Sequence, residues 1–245
     1  MDKEKALKNL LDVKEVFDRN NIPIWIDGGT LLGAVRDKSF IPWDNDIDLN
    51  SWRRYVNNEK IMKKLARELK EKGFVVFYLW NGMDVKRHNI STSVGLIEEP
   101  EDNNVVIKES KNIIGTSRIL KKLKKLLMQS YYGGFIFHKQ NDFRSLVKIN
   151  LFNLISGVPR KIRIKIYKFL EFITPFQKAE ACNLIIPANH FKNLKEIKFY
   201  GHTLEIPGDT EKYLEKMYGD WKTPPKRPEE WLANWQGYGD WGKNK

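Results

Sequence analysis

Residues Trp25 to Trp52 read WIDGGTLLGAVRDKSFIPWDNDIDLNSW, and the fold is decided within this stretch. Near its end stands Asp46-Ile47-Asp48-Leu49. Successive side chains of an extended strand alternate faces, so Asp46 and Asp48 share one face while Ile47 and Leu49 point into a core. Two carboxylates about 7 Å apart along a strand repel each other unless a cation lies between them. They also form a hard, oxygen-only site of the kind Mg²⁺ or Mn²⁺ takes, with waters and substrate phosphates completing the shell. Asp44 either extends the same face or caps the preceding turn.

At the front of the stretch, Pro23 opens a short strand, Ile24 to Ile26, and Gly28-Gly29 make a tight turn into a short helix, Thr30 to Arg36. Glycine permits close backbone approach, and the N–H groups at a helix start favour anions. Arg36, one or two turns on, can add a charge-assisted fork. A phosphate cradle of Gly28, Gly29, Thr30 and Arg36, followed by a carboxylate pair at the next strand, is the arrangement phosphoryl transfer needs. Singly, each feature is ordinary. Asp-x-Asp is most often a solvated strand face, Gly-Gly only a turn, and an arginine a surface residue. Their joint occurrence between apolar strand residues is what favours a site.

Working outward, residues 2 to 20 carry Leu7, Leu10, Leu11, Val13 and Phe17 at helical spacing,. A second charged amphipathic helix covers 58 to 72 and ends at Gly73,. Phe74 to Leu79 and Ser93 to Ile97 read as strands, with Val105 to Lys108 a weaker third. Arg118 to Tyr132 and Pro159 to Ile173 are basic, strongly apolar helical patterns. Strands at Ile197 to Tyr200 and Thr203 to Ile206, a helix at Thr210 to Tyr218, and a tail rich in Trp, Pro and Gly complete the chain. Mixed helices and strands predict an α+β class.

The 245 residues are 41% hydrophobic and 30% charged, as in an ordinary folded domain,. No stretch has the roughly 18 to 20 apolar residues of a membrane-spanning helix. The charged start Met1-Asp2-Lys3-Glu4-Lys5 does not read as a signal peptide, and the single Cys182 points to a reducing compartment,. A cytoplasmic location is expected. One cysteine and four histidines make structural zinc improbable,. The net charge of +12 fits nucleic acid, anionic lipid or phosphate-bearing substrates, and does not choose among them,.

The quoted stretch resembles the LicD/fukutin family of the nucleotidyltransferase superfamily. The resemblance rests on Asp27 to Arg36 and Ile41 to Asp48, and on a second stretch with Tyr200-Gly201, Ile206-Pro207 and Tyr213-Leu214-Glu215-Lys216-Met217-Tyr218-Gly219-Asp220-Trp221-Lys222-Thr223-Pro224. It implies a nucleotidyltransferase-type core with a mixed sheet, a helical insertion and a small C-terminal subdomain. The expected divisions are 1–115, 116–195 and 196–245. It also implies transfer of a phospho-alcohol group, such as phosphocholine, ribitol phosphate or glycerol phosphate, from a CDP-activated donor to a surface glycan or its lipid-linked precursor. Asp46 and Asp48 would hold the metal, and Gly28, Gly29, Thr30 and Arg36 would contact donor phosphates.

Relatives usually carry a third carboxylate on a later strand, in a segment this sequence lacks. Glu98 is the first choice for that role, as base toward the acceptor, followed by Asp84 and Glu99. Lys86, Arg87 and His88 are either further donor-site residues or surface charge. The basic patterns Arg118 to Leu127 and Arg160 to Ile166 match membrane-surface helices that meet anionic lipid at the inner face of the membrane, or else solvated domain helices. The aromatics Trp221, Trp231, Trp235, Tyr238 and Trp241 favour packing over sugar stacking. Two rivals remain: a true nucleotidyltransferase acting on a small molecule or RNA, and an inactive protein that binds membrane or nucleic acid. The retained carboxylates weigh against inactivity, and no basic-aromatic platform supports nucleic acid.

Overall fold

The computed structural model describes residues 1–79, 82–97, 104–113 and 179–224, with scattered positions between 158 and 172. Helix α1, Lys3–Arg19, starts where the Asp2 carboxylate accepts the Lys5 backbone N–H at 3.2 Å,. Ala6, Leu10, Val13 and Phe17 recur at three- and four-residue steps and are buried,. Strand β1, Ile24–Ile26, is buried throughout. Helix α2, Gly28–Leu32, runs into a single π-helical turn, Gly33–Asp37. Strand β2, Asp46–Trp52, continues past the expected end at Leu49. Its last residues are held on both sides, by β1 and by the later strand β5, Ile90–Ile97.

Helix α3, Glu59–Glu71, is capped by Asn58, whose side chain accepts the Ile61 N–H at 3.0 Å. Gly73, at φ 84°, supplies the left-handed residue that releases the chain into β3, Val75–Leu79,. Strand β4, Gly82–Arg87, precedes β5 and was not among the sequence expectations. His88 and Asn89, both at positive φ, form the two-residue turn between them,. Strands β6, Asn104–Ile113, and β7, Ala179–Pro187, pair in a two-stranded sheet. A 3₁₀ turn at Ala188–Phe191, the hairpin β8, Lys195–Phe199, and β9, His202–Ile206, and helix α4, Thr210–Tyr218, follow.

The main sheet has seven strands in the order β3-β4-β5-β2-β1-β9-β8. It is mixed, as expected: β1 runs antiparallel to β2 and parallel to β9, while β2 runs parallel to β5. The class is α+β. The chain divides into two compact units, one of Met1–Val76, Val85–Lys108 and Asn183–Lys245, the other of Phe77–Asp84 and Glu109–Cys182. Among the described residues no helix is long and apolar enough to cross a membrane. The pattern at 118–132, the aromatics beyond Trp221, and Glu98 and Glu99 lie outside the described residues. Trp221 is buried, in keeping with a packing role.

One half-buried arginine ties α1 to the strands. Arg87 donates from Nε to Asn9 Oδ1 at 2.9 Å, from Nη1 to the Lys72 carbonyl at 2.8 Å and from Nη2 to Asp12 Oδ2 at 2.5 Å. Asn9, fully buried in the apolar face of α1, returns a bond from Nδ2 to the Arg87 carbonyl at 3.0 Å. The guanidinium also lies 4.1 Å from the centre of the Phe74 ring,. These bonds occupy Arg87 as a brace between α1 and the end of α3. Arg87→Ala leaves the buried Asn9 Oδ1 without its donor and Asp12 with lysine partners alone, so it should cost about 2–4 kcal/mol in a denaturant titration, whereas Lys86→Ala should cost little,.

Candidate active site

The turn from β1 into α2 brings two distant carboxylates against bare backbone. Gly28 sits at φ 52°, a conformation L side chains rarely adopt,. A Cβ on Gly28 would collide with Oδ2 of Asp48, and one on Gly29 with Oδ2 of Asp44. Gly28 is therefore needed for its backbone conformation and its space, and a side chain at residue 29 would push the Asp44 carboxylate aside. Within that space the Gly29 N–H donates to Asp48 Oδ2 at 3.1 Å, and the Asp48 N–H donates to the buried Thr30 hydroxyl at 3.0 Å. The Asp27 N–H donates to the Asp48 carbonyl at 3.0 Å. Asp48 is thus fixed through backbone and side chain alike.

Along β2 the alternation holds. Ile47 and Leu49 are buried, Asp46 is exposed and Asp48 half-buried. Asp44 lies within side-chain hydrogen-bonding reach of Asp46 and accepts the Asn45 N–H at 2.9 Å. It both turns the chain and joins the acidic group. Burial, then contact with Asp46, pushes the Asp44 carboxyl up to about 7,. Burial, then the charges of Asp46, Asp44 and Asp27, holds Asp48 well above the ordinary carboxylate range. Among the described residues no three Asp, Glu, His or Cys side chains form a closed ligand set. The arrangement instead fits a cation held by one or two carboxylates and finished by substrate oxygens.

The parallel register sets Ser91 beside Asp46 and Ser93 beside Asp48. Adjacent strands share faces, so these half-buried serines belong to the acidic face,. The third carboxylate sought on a later strand is therefore not at either of these β5 positions. Asp84 is half-buried on β4. Arg36 grips Asp37 with two bonds of 2.7 Å and reaches the Trp221 carbonyl at 3.5 Å. Its side chain is only 7% exposed.

Beneath the turn is a buried polar group that sequence reasoning missed. Asp27 is 7% exposed, and its Oδ1 accepts the Tyr213 hydroxyl at 2.7 Å while Oδ2 accepts the Asn50 amide. Burial raises the Asp27 carboxyl to about 6, against the lowering effect of the Tyr213 and Gly28 hydrogen bonds. Gly95, paired with Asn50 across the strands, has no side chain because a Cβ there would meet the Asn50 Oδ1. Asn50 was legible as the next residue on the Asp46 and Asp48 face. Nothing in the spacing signals Tyr213.

Two outcomes follow from these contacts. Tyr213→Phe keeps the ring and removes one donor to a buried carboxyl, so it should cost about 1–2 kcal/mol, and a double-mutant cycle with Asp27→Asn should show coupling of that size. The second concerns pH. Burial raises Asp27 and Asp44 above their ordinary 3.8, to about 6 and about 7, so the folded state binds those protons more tightly than the unfolded state. The resulting stabilisation is complete below about pH 4 and is lost as pH rises through 6 to 7. Without divalent cation, the melting temperature of the wild type relative to Asp44→Asn should fall across that window, and added Mg²⁺ should flatten the fall.

Comparison with known proteins agrees with the segment quoted at the outset. The family model described as LicD/FKTN/FKRP, nucleotidyltransferase domain, matches residues 21–161. The lipopolysaccharide cholinephosphotransferase LicD of Haemophilus influenzae is 43% identical over 54 residues, covering 20% of each chain. The ribitol 5-phosphate transferase FKRP of Mus musculus is 36% identical over 62 residues, 24% of this chain and 13% of that one. The matched part is thus a fifth or less of these relatives' length. Among solved structures, the lincomycin-bound lincosamide antibiotic adenylyltransferase LnuA is 10% identical, with a TM-score of 0.42 over 93% of this chain and 94% of that chain. The antibiotic-resistance factor ANT(2'')-Ia gives a TM-score of 0.35 at 14% identity, over 71% of this chain and 99% of that one. With more than half of its 245 residues matched by the family model, the chain belongs to the LicD/FKTN/FKRP family.

Proposed function

We propose that this protein transfers a phospho-alcohol group, such as phosphocholine, ribitol phosphate or glycerol phosphate, from a CDP-activated donor to a hydroxyl of a glycan or lipid-linked glycan precursor. The observation that carries this reading is the placement of Asp46 and Asp48 on one strand face, beside a glycine turn that carboxylate oxygens already enter. The two named relatives are transferases of cholinephosphate and of ribitol 5-phosphate, which supports a phospho-alcohol as the group moved.

Asp46 and Asp48 would hold Mg²⁺ or Mn²⁺, which when bound neutralises donor phosphate charge. The carboxylates of Asp48 and Asp44 fill the space over Gly28 and Gly29, and the bonds with Gly29 and Thr30 keep Asp48 from turning away. Thr30 thereby acts on the donor through Asp48, while Arg36, gripped by Asp37, braces the end of the helix that follows the turn. The acceptor hydroxyl oxygen forms the new bond to phosphorus, the bond to the CMP oxygen breaks, and the hydroxyl proton passes to a carboxylate. We assign that base to Glu98, one residue past the end of β5, with Asp44 as the alternative,. The protein works in the cytoplasm on this reading.

The rival with a claim on the same residues is nucleotidyl transfer, since the matching family model is of a nucleotidyltransferase domain. Incubation with CDP-alcohols and nucleoside triphosphates separates the two: CMP release with transfer to a sugar supports the proposal, and pyrophosphate release supports the rival. In either chemistry Asp46→Asn and Asp48→Asn should each lower turnover by about a thousandfold or more. Their melting temperatures should hold or rise in the absence of metal, because each change relieves repulsion among carboxylates. Near-normal turnover in either variant would sink the metal assignment. Glu98→Gln and Asp44→Asn, compared for turnover across pH, identify the base.

A further inference from the structure

Residues 162, 165, 166, 168, 169 and 172 are helical and belong to the second unit. Ile162, Ile166, Phe169 and Phe172 follow one another at steps of four, three and three, the spacing that places side chains in one stripe,. A stripe of that kind normally faces a core. Here it faces out, with Ile162 at 48%, Ile166 at 40%, Phe169 at 61% and Phe172 at 82% exposure. Lys165 and Lys168 are exposed on the same side of the helix. Across 160–172 the sequence has five lysines and arginines against one acid, Glu171.

We propose that this face docks on an anionic lipid surface, with the four apolar side chains in the boundary beneath the headgroups and the two lysines among the phosphates. Charge complementarity selects this occupant. A second copy packed on the same face in a two-fold pair would set lysines against lysines. Nucleic acid would use the cations but give no role to the isoleucines, which have no ring face to stack on a base. A lipid interface uses both halves of the face, since long basic side chains reach the headgroups while phenylalanine and isoleucine enter the acyl boundary. This surface is independent of which group the active site transfers.

The test is sedimentation of the full chain with vesicles of phosphatidylcholine alone or mixed with phosphatidylglycerol, at low and high salt. The expected result is binding to the mixed vesicles only, weakened by salt. Phe169→Ser with Phe172→Ser should reduce that binding about tenfold or more, and Lys165→Gln with Lys168→Gln about tenfold, with melting temperatures and transfer to a soluble acceptor unchanged. Failure to bind mixed vesicles, equal binding to phosphatidylcholine alone, or binding that survives both double variants overturns the proposal. So does a concentration-dependent dimer dissolved by the phenylalanine variant, which would make the occupant a second copy. Displacement from vesicles by single-stranded RNA that both variants also fail to bind would make it nucleic acid.

Discussion

Asp44 and Asp48 occupy the space that side chains at residues 29 and 28 would fill, and the site is organised around that exclusion. A carboxylate placed against backbone needs donors. Asp48 finds one at the Gly29 N–H, and its own N–H is bound by Thr30. The glycines are thus set by what approaches them, as well as by the positive φ at Gly28. Any larger residue at either position would displace an aspartate before it disturbed the helix that follows. The same close packing buries Asp44 and Asp48 and sets them against Asp46, so burial first and repulsion between carboxylates second raise both carboxyls,. Repulsion of this sort is tolerated in a folded protein where the surrounding bonds over-determine the arrangement.

Those bonds come from three places far apart in the chain. Strand β2 lies between β1 and β5, so its register is fixed on both edges, and a slip by one residue would send Asp46 and Asp48 to the core face,. Asn50, further along the same face, is buried and turned onto Asp27, with Gly95 leaving room for its amide. Tyr213 closes the group from α4 and carries the C-terminal segment into the support of the turn. Arg36 reaches the same segment through the Trp221 carbonyl. The two stretches that carry the family resemblance therefore meet physically, and the acidic strand depends on residues that follow it by more than 150 positions.

The local parts of this arrangement are legible in the sequence because they obey short periods. Alternation of two put Asp46 and Asp48 outward and Ile47 and Leu49 inward, and the three- and four-residue steps of α1 and α3 located both helices. Asp44 was legible as a choice between two roles and turns out to play both. Strand β4 escaped notice because Asp84 and Lys86 interrupt it with charge and its turn uses His88-Asn89 in place of the common Asn-Gly pair,. Arg87 was read as either a donor-site residue or surface charge, yet its three nitrogens are spent on Asn9, Lys72 and Asp12. Tyr213 could not be found by any period, since its partner is 186 residues away. Long-range hydrogen bonds between buried polar groups leave no trace in spacing.

The charge of the chain and the charge of its site have opposite signs, and on the proposed reading that opposition has a consequence. A net charge of +12 draws anionic partners toward the protein as a whole,. At the turn, however, an arriving phosphate meets carboxylates packed against the glycine backbone. Attraction at long range and repulsion at contact cannot both favour binding unless the acidic group is neutralised. The donor and a divalent cation must then each raise the affinity for the other by the same factor, because coupling between two bound species is reciprocal. Protons compete for the same oxygens, so acid should weaken the cation and, through it, the donor. The carboxylates packed against one another at the turn are thus the ones that make its selectivity depend on two ligands arriving together.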